Sequence, residues 1–171
     1  MEKPLVTPHL IIREITLADD QFILKLLNMP SWLKFIGDRN IHTVTDARRY
    51  IRTGPLRSYE ENGFGAWVVV SKATLRPAGM CGFFKRAYLD VPDLGFAFLP
   101  EYEGKGYARE AVTACLDYAR TSLGLQSLLA ITLPHNDRCI SLLERTGFRF
   151  LKTIAPQNDE SLSLYELKQL F

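Results

Sequence analysis

Hydrophobic residues in the first half of the chain alternate between short β-branched runs and stretches with helical spacing. Residues 10–15 are short and rich in isoleucine, which predicts a strand. The residues that follow, 16–19, resemble a helix start, with a threonine cap and acidic residues in the first turn. We expect that helix to end before Pro30, and a second helix over residues 43–52 to close at Gly54 and Pro55.

Apolar runs in the middle of the chain predict three strands, at residues 66–70, 78–86 and 93–99. A short polar connection separates the first two, so an antiparallel meander is the simplest arrangement. Residues 106–123 predict a helix, because the small and aliphatic side chains recur along one face while charged side chains occupy the other.

The last third predicts a strand at residues 128–133, a helix over 136–146, and closing strands at 148–154 and 162–167. A strand–helix–strand crossover after an antiparallel first half indicates a mixed sheet flanked by helices, in the α+β class. No repeat or polar linker divides the chain. Its 171 residues are therefore expected to form one domain, residues 1–171.

Charge is nearly balanced, and this limits the possible partners. Twenty-one Lys and Arg residues against nineteen Asp and Glu residues leave a net charge of +2. The balance argues against a nucleic-acid partner but not against a small local anion site. The amino-terminal residues lack the apolar run of a signal peptide, and no apolar run is long enough to cross a bilayer. We therefore predict a cytoplasmic protein without a membrane partner.

The cysteine and histidine residues do not indicate a metal site. Three cysteines are an odd number, and no pair has the spacing of a zinc or disulfide motif. The three histidines likewise lack metal-ligand spacing. The residues concerned are Cys81, Cys115, Cys139, His9, His42 and His135. No metal is therefore predicted.

Candidate chemistry is concentrated where the third strand of the middle run meets the long helix. Gly104 and Gly106 allow successive backbone N–H groups to turn inward at a helix N-terminus, which makes a cradle for pyrophosphate. Lys105 adds a positive charge. The spacing matches neither a P-loop nor a dinucleotide-binding fingerprint. The alternative is that the two glycines only make a tight strand-to-helix turn.

Three segments resemble one enzyme family, in that family's order. Residues 100–108, Pro-Glu-Tyr-Glu-Gly-Lys-Gly-Tyr-Ala, resemble the acetyl-CoA-binding motif of the GNAT N-acetyltransferases. Residues 136–148, from Asn136 to Gly147-Phe148, resemble the family's second motif. Residues 10–14 and Asp19 are similar to the opening of the subgroup that acetylates ribosomal-protein N-termini, the RimJ/RimL-like enzymes.

The resemblance implies the GNAT fold, with a central, mostly antiparallel twisted sheet, and acetyl-CoA as cosubstrate. In this family the strand corresponding to residues 96–99, with Phe98 and Leu99, pairs with pantetheine through its backbone. A backbone N–H near Phe98 would polarise the thioester carbonyl, and Asn136 would reach the pantetheine arm or the thioester. The pyrophosphate would lie on backbone N–H groups from the glycine loop, namely those of Gly104, Lys105, Gly106, Tyr107 and Ala108.

The sequence departs from the family pattern at two places. Glu101 stands where the motif has Gln or Arg, and Glu103 adds a second acid beside the expected polyanion. Leu143 stands where many members have a tyrosine that protonates the leaving thiolate. The thiolate would then take its proton from Cys139, Ser141 or water. For Cys139 the alternative is a small hydrophobic residue on an inward helix face.

Acetylation of an amine requires removal of a proton from its ammonium form. Asp93 begins the strand where the family often has a glutamate, so it is the candidate base, acting directly or through water. The alternative is a solvated carboxylate at a strand end. Trp32, Phe35 and Ile36, followed by Asp38, lie in the region that forms one wall of the acceptor cleft in this family. Asp38 is a candidate for attracting a cationic amine there; the alternative is that this region only packs the first two helices into the core. The stretch with Tyr50 and Tyr59 and the loop from Tyr88 to Asp93 are further candidate walls.

The resulting prediction is an acetyl-CoA-dependent N-acetyltransferase that acts by direct transfer, without a covalent enzyme intermediate. The acceptor is a primary amine, either a protein N-terminus or a small molecule. A non-catalytic acyl-CoA-binding sensor is the alternative, suggested by Leu143 in place of tyrosine. A closing strand left exposed at a sheet edge would allow a homodimer.

Overall fold

A computed structural model describes residues 3–156 and 160–168. Its centre is a sheet in the order β1-β2-β3-β4-β5-β6-β8-β7. All neighbours pair antiparallel except β5 and β6, which are parallel. The predicted mixed, mostly antiparallel sheet is thus confirmed. The strands are β1 (Leu5–Val6), β2 (Leu10–Glu14), β3 (Ala66–Ser71), β4 (Arg76–Phe84), β5 (Asp93–Phe98), β6 (Ser127–Thr132), β7 (Arg149–Ile154) and β8 (Leu162–Lys168).

Helices cover the sheet and bury its apolar side chains. They are α1 (Asp20–Leu27), α2 (Pro30–Phe35), α3 (Val44–Ile51), α4 (Arg57–Asn62), α5 (Tyr107–Thr121) and α6 (Asp137–Arg145). The fully buried Trp67 of β3 meets Phe83 of β4 and Tyr118 of α5 edge to face, with ring centroids 5.4 and 5.3 Å away. The long helix α5 therefore packs on the middle of the sheet, next to the strand that precedes it.

Proline residues mark two departures from the expected helices. The first helix ends before Pro30 as predicted, but Pro30 then begins α2, a helix that the sequence did not predict, and its missing N–H costs nothing at that position. The helix expected to close at Gly54 and Pro55 continues instead through a π-helical segment, Arg52–Leu56, into α4. The wider π turn admits the proline ring, and π segments are frequent at functional sites.

The sheet opens between β5 and β6. Their one register pair is Asp93 with Leu129, and the Leu129 N–H donates to the Pro92 carbonyl at 3.0 Å. Beyond that pair the two strands diverge, so the carboxyl-terminal part of β5 has no neighbour on the β6 side. This divergence creates the cleft described below.

The other edge feature is β7, the last strand in the sheet order. Most of β7 is exposed, including Phe150 at 56% and Leu151 at 46%. An exposed edge strand of this kind is where two copies of a chain can pair. The homodimer stays a prediction.

Within residues 3–156 and 160–168, none of the helices has both the length and the apolar character that a membrane crossing requires. The same residues contain no group of three His, Cys, Asp or Glu side chains that could hold a metal ion.

Candidate active site

A cleft of about 1070 Å³ runs between the diverging strands β5 and β6 and continues under α2, α3 and α4. Most of the residues singled out in the sequence line it, although they come from separate elements: Asp93, Phe98, Gly104, Gly106, Tyr107, Ala108 and Asn136. Leu99 and Lys105 are not part of the lining. The fold therefore brings the glycine loop, the start of β5 and the start of α6 to one cavity.

The glycine loop is held in place by the residues before it. A single 3₁₀ turn, Pro100–Tyr102, buries Tyr102, whose ring stacks on that of Tyr107 with centroids 6.3 Å apart. Gly104 and Gly106 then adopt φ angles of +72° and +78°, a left-handed conformation that residues other than glycine rarely adopt. No atom lies within 4 Å of where a Cβ would stand at either glycine. These glycines are thus required by backbone conformation and not by crowding.

The loop leaves a row of backbone donors unused. The first internal bond of α5 runs from the Glu110 N–H to the Gly106 carbonyl, at 3.0 Å. Among the described residues, the N–H groups of residues 104–109 have no acceptor. Consecutive free N–H groups at the N-terminus of a 15-residue helix favour an anion both by hydrogen bonding and by the helix dipole.

Each acid beside this loop is paired with a cation. Glu101 accepts from the Lys25 ammonium at 2.6 Å and lies outside the cleft lining. Glu103 lines the cleft and accepts from the Arg138 guanidinium at 2.7 Å. Lys105 is exposed, with Nζ 5.4 Å from the centroid of the Tyr102 ring. The charges around the loop are therefore more balanced than the sequence alone indicated.

We expect Glu103→Gln to lower the KM for acetyl-CoA by roughly 2-fold to 3-fold at low salt, because the substitution releases Arg138 towards the cleft. The gain should shrink at high salt, since both side chains are accessible to screening ions. Steady-state kinetics at two ionic strengths would measure it. Glu101→Gln, which leaves the lining unchanged, is the matched control, and an equal effect of both variants would contradict the argument.

The backbone of β5 offers donors to the cleft at alternate residues. The Leu99 N–H donates to the Ala78 carbonyl of β4 at 2.9 Å, so odd-numbered residues of this strand bond to β4. Because strand residues alternate, the N–H groups of Phe96 and Phe98 point to the side where β6 has diverged. Leu99 itself is 3% exposed and its side chain belongs to the core.

Asp93 lies at the narrow end of the cleft, where β5 still pairs with β6. It is 1% exposed and is therefore not the solvated strand-end carboxylate that the sequence left as an alternative. Its Oδ1 accepts from Arg86 Nε at 2.8 Å. Burial raises the pKa of Asp93, although the Arg86 charge and hydrogen bond act in the opposite direction. A carboxylate with a raised pKa is a stronger base than an exposed one.

The start of α6 carries the second motif. Asn136 caps the helix, its Oδ1 accepting from the Cys139 N–H at 3.3 Å. Its side-chain amide N–H groups have no acceptor within the described part of the chain. Cys139 lines the cleft, and burial raises the pKa of its thiol, which is therefore protonated at neutral pH. Leu143 also lines the cleft, whereas Ser141 does not.

The far end of the cleft contains several expected wall residues, Tyr50 and Tyr88 among them, and others that the sequence did not single out, such as Arg39, Lys85 and Arg86. Trp32, Phe35 and Ile36 line it as expected. Asp38 does not, because its Oδ1 accepts from the Asn40 N–H at 2.7 Å in a local turn. Additional lining residues there are Arg39, Tyr50, Thr53, Gly54, Phe84, Lys85, Arg86 and Tyr88. Proline inside a helical pattern was the signal that could have indicated the π segment holding Thr53 and Gly54.

Comparison with known proteins agrees with this geometry. A model of the acetyltransferase (GNAT) domain matches residues 9–149. The Bacillus subtilis protein YkkB is 32% identical over 112 residues, which are 63% of this chain and 64% of YkkB, so that match spans less than two thirds of the relative. The uncharacterized N-acetyltransferase YnaD of Bacillus subtilis is 25% identical over 159 residues, 91% of this chain and 90% of YnaD.

Two solved structures share the fold over nearly the whole chain. The ribosomal-protein-S5-alanine acetyltransferase of Vibrio fischeri has a TM-score of 0.82 at 20% identity, covering 97% of this chain and 96% of its own. The ribosomal L7/L12 α-N-protein acetyltransferase RimL, in complex with coenzyme A, has a TM-score of 0.82 at 12% identity, covering 96% and 97%. With the domain match over residues 9–149, these findings establish that the chain belongs to the GNAT acetyltransferase family, with similarity to its RimJ/RimL-like members.

Proposed function

We propose that this protein transfers the acetyl group of acetyl-CoA directly to a primary amine. The observation that carries the proposal is the row of free N–H groups at residues 104–109, which opens into the gap between β5 and β6. A chain of this family with a preformed anion cradle beside an unpaired strand edge suits a long cosubstrate that has a diphosphate and an amide-rich arm.

The residues present fit acetyl-CoA in three parts. The N–H groups of Gly104, Lys105, Gly106, Tyr107 and Ala108 would bind the pyrophosphate, and the Lys105 side chain would add charge at the rim. The edge of β5, which Leu99 anchors to β4, would pair with the pantetheine arm.

The reacting end of the cosubstrate would lie along β5, where the N–H groups of Phe96 and Phe98 face the cleft. A backbone N–H near Phe98, that of Phe98 itself or of Phe96, would donate to the thioester carbonyl, and Asn136 would donate from its free amide. Acetyl-CoA supplies an acyl group on a good leaving sulfur.

Asp93 is the proposed base. The amine must lose one proton before its lone pair attacks the thioester carbon; the C–N bond then forms, the C–S bond breaks, and the sulfur leaves as thiolate. Asp93 lines the cleft and its pKa is raised by burial, so it can accept the amine proton directly or through water. The protonated Cys139 thiol, which also lines the cleft, is the proposed proton donor to the leaving thiolate; solvent then returns a proton to Cys139 and takes up the one held by Asp93.

A direct test is release of free CoA from acetyl-CoA in the presence of a panel of amines and peptides, with the acetylated product identified by mass spectrometry. Turnover with a primary amine supports the proposal. Tight acetyl-CoA binding without turnover across the panel would contradict it and favour the acyl-CoA sensor.

Asn136→Ala should lose both the cap of α6 and the side-chain amide donors. We expect a lower Tm, since loss of an N-cap side chain costs about 1 kcal/mol, together with a higher KM for acetyl-CoA. Asn136→Asp keeps a capping oxygen but has no amide donor, so it should keep the Tm and still raise the KM. If Asn136→Asp kept the wild-type KM, the side chain would be a helix cap only.

A further inference from the structure

The acceptor end of the cleft is defined here as the part lined by α2, the π segment and the β4–β5 connection. Aromatic side chains form much of its wall, including Trp32, Phe35 and Phe84. Phe35 also contacts His135 across the opening, with ring centroids 5.9 Å apart. This end is thus bounded by apolar surface, and its few polar groups decide which acceptor it accommodates.

Positive charge predominates at the acceptor end. Arg39 and Lys85 line it and have no acidic partner among the described residues. Two other arginines are paired, Arg86 with Asp93 at 2.8 Å and Arg57 with Glu61 at 2.6 Å. Among the described residues, the other acids in the lining are Glu103, which is paired with Arg138 beside the glycine loop, and Glu160. A second positive charge on an amine acceptor would meet repulsion here.

Hydrogen-bond donors without acceptors lie in the same place. The half-buried Tyr50 lines the acceptor end and its hydroxyl has no partner among the described residues. Arg39 and Arg86 line the same cleft as Tyr50, and their charges lower the pKa of this phenol, which burial raises. The buried indole N–H of Trp32 also lacks an acceptor. The acceptor end therefore combines the exposed cations Arg39 and Lys85 with two donors, the Tyr50 hydroxyl and the buried Trp32 indole N–H, that have no protein acceptor among the described residues.

The geometry points to an acceptor that carries an anionic group, a carboxylate or phosphate, close to its primary amine. This inference rests on the proposed function and specifies its substrate class. Arg39, Tyr50 and Arg86 would bind the anion, as guanidinium and phenol donors bind carboxylates and phosphates elsewhere. The same positive charges lower the pKa of a nearby ammonium, so they increase the fraction of amine that carries a lone pair.

Equilibrium binding to the CoA-saturated protein tests the inference without depending on turnover. Matched amines differ in the anion alone: alanine against alaninamide, phosphoethanolamine against ethanolamine, and the dipeptide amides Ala-Glu against Ala-Gln, with spermidine as a polycation. We expect each anionic member to bind at least tenfold more tightly than its partner. If only the dipeptide pair shows tighter binding of the anionic member, the acceptor is a peptide N-terminus. If the small pairs show it, the acceptor is a small molecule.

Charge reversal at Arg39 supplies the second arm. Arg39→Glu should abolish the preference for anionic amines and leave the Kd of CoA unchanged, whereas Arg52→Glu, an exposed reversal outside the cleft lining, should change neither. Equal binding of both members of every pair, or wild-type preference in Arg39→Glu, overturns the inference. Anion-dependent binding without any acetyl transfer would support the substrate class and refute the proposed function.

Discussion

Replacement of Asp93 by asparagine is expected to lower kcat by roughly 100-fold or more, the usual contribution of a general base. The carboxylate is buried in the cleft at 1% exposure and is held by Arg86 Nε at 2.8 Å. Asparagine preserves the shape and can accept the same hydrogen bond, but it cannot accept a proton from the amine. Steady-state kinetics with saturating acetyl-CoA would measure the loss, and the KM for acetyl-CoA should stay close to the wild-type value.

The pH profile separates a base from an ion pair that only holds the β4–β5 connection together. Asp93 accepts a proton only when it is ionised, so wild-type activity should fall as the pH drops through its pKa. Because burial raises that pKa, the fall should begin at a higher pH than for an exposed aspartate. Asp93→Asn should lack this limb.

Asp90→Asn is the matched control, because Asp90 is an exposed carboxylate in the same connection and outside the cleft lining. It should keep both the wild-type rate and the wild-type profile. A kcat close to the wild-type value in a folded Asp93→Asn protein would show that Asp93 is not the base.

Gly106→Ala is expected to weaken acetyl-CoA binding by about tenfold, since a left-handed conformation costs a residue with a Cβ about 1–2 kcal/mol. Gly106 has a φ of +78° and nothing within 4 Å of a Cβ position, so the cost is conformational and not steric. The loop then either keeps the strain or relaxes, and relaxation turns the N–H groups of residues 104–109 away from the pyrophosphate. Isothermal titration with acetyl-CoA, or with CoA, would measure the change.

Gly124→Ala provides a control in the same helix surroundings. Gly124 follows the opposite end of α5, has a φ of +62°, and likewise has nothing within 4 Å of a Cβ position. Both variants should lower the Tm by a similar amount, but only Gly106→Ala should weaken binding. Unchanged CoA affinity in a folded Gly106→Ala protein would contradict a pyrophosphate cradle at this loop.

Local sequence patterns predicted most of the elements because each depends on neighbouring residues. A few neighbouring residues are enough to predict the conformation of each of these features: the β-branched run at Leu10–Glu14, the apolar face of α5 and the asparagine that caps α6. The helix that begins at Pro30 and the helical continuation through Pro55 were not predicted, for a related reason. A proline breaks a regular α-helix locally, but whether it starts a new helix or is admitted in a π turn depends on the packing around it.

In the candidate site, too, some features could be predicted from local sequence and others could not. The glycine loop was recognisable because its positive φ angles demand glycine, and glycines are visible in a sequence. The burial of Asp93 was not, because it results from β5 pairing with both β4 and the first residues of β6. Arg86 faces Asp93 only through the register of that antiparallel pair, in which Phe84 is opposite Asp93.

The sequence by itself determined the family and most of the helices and strands, and it indicated the glycine loop at Gly104 and Gly106 as a candidate anion site, since these follow from short motifs and local backbone preferences. Tertiary structure decided the rest. The divergence of β5 from β6, the pairing of Glu101 and Glu103 with distant cations, and the meeting of Arg39, Tyr50 and Arg86 at the acceptor end join residues far apart in the chain. Such contacts depend on how whole helices and strands pack, so no short sequence pattern predicts them.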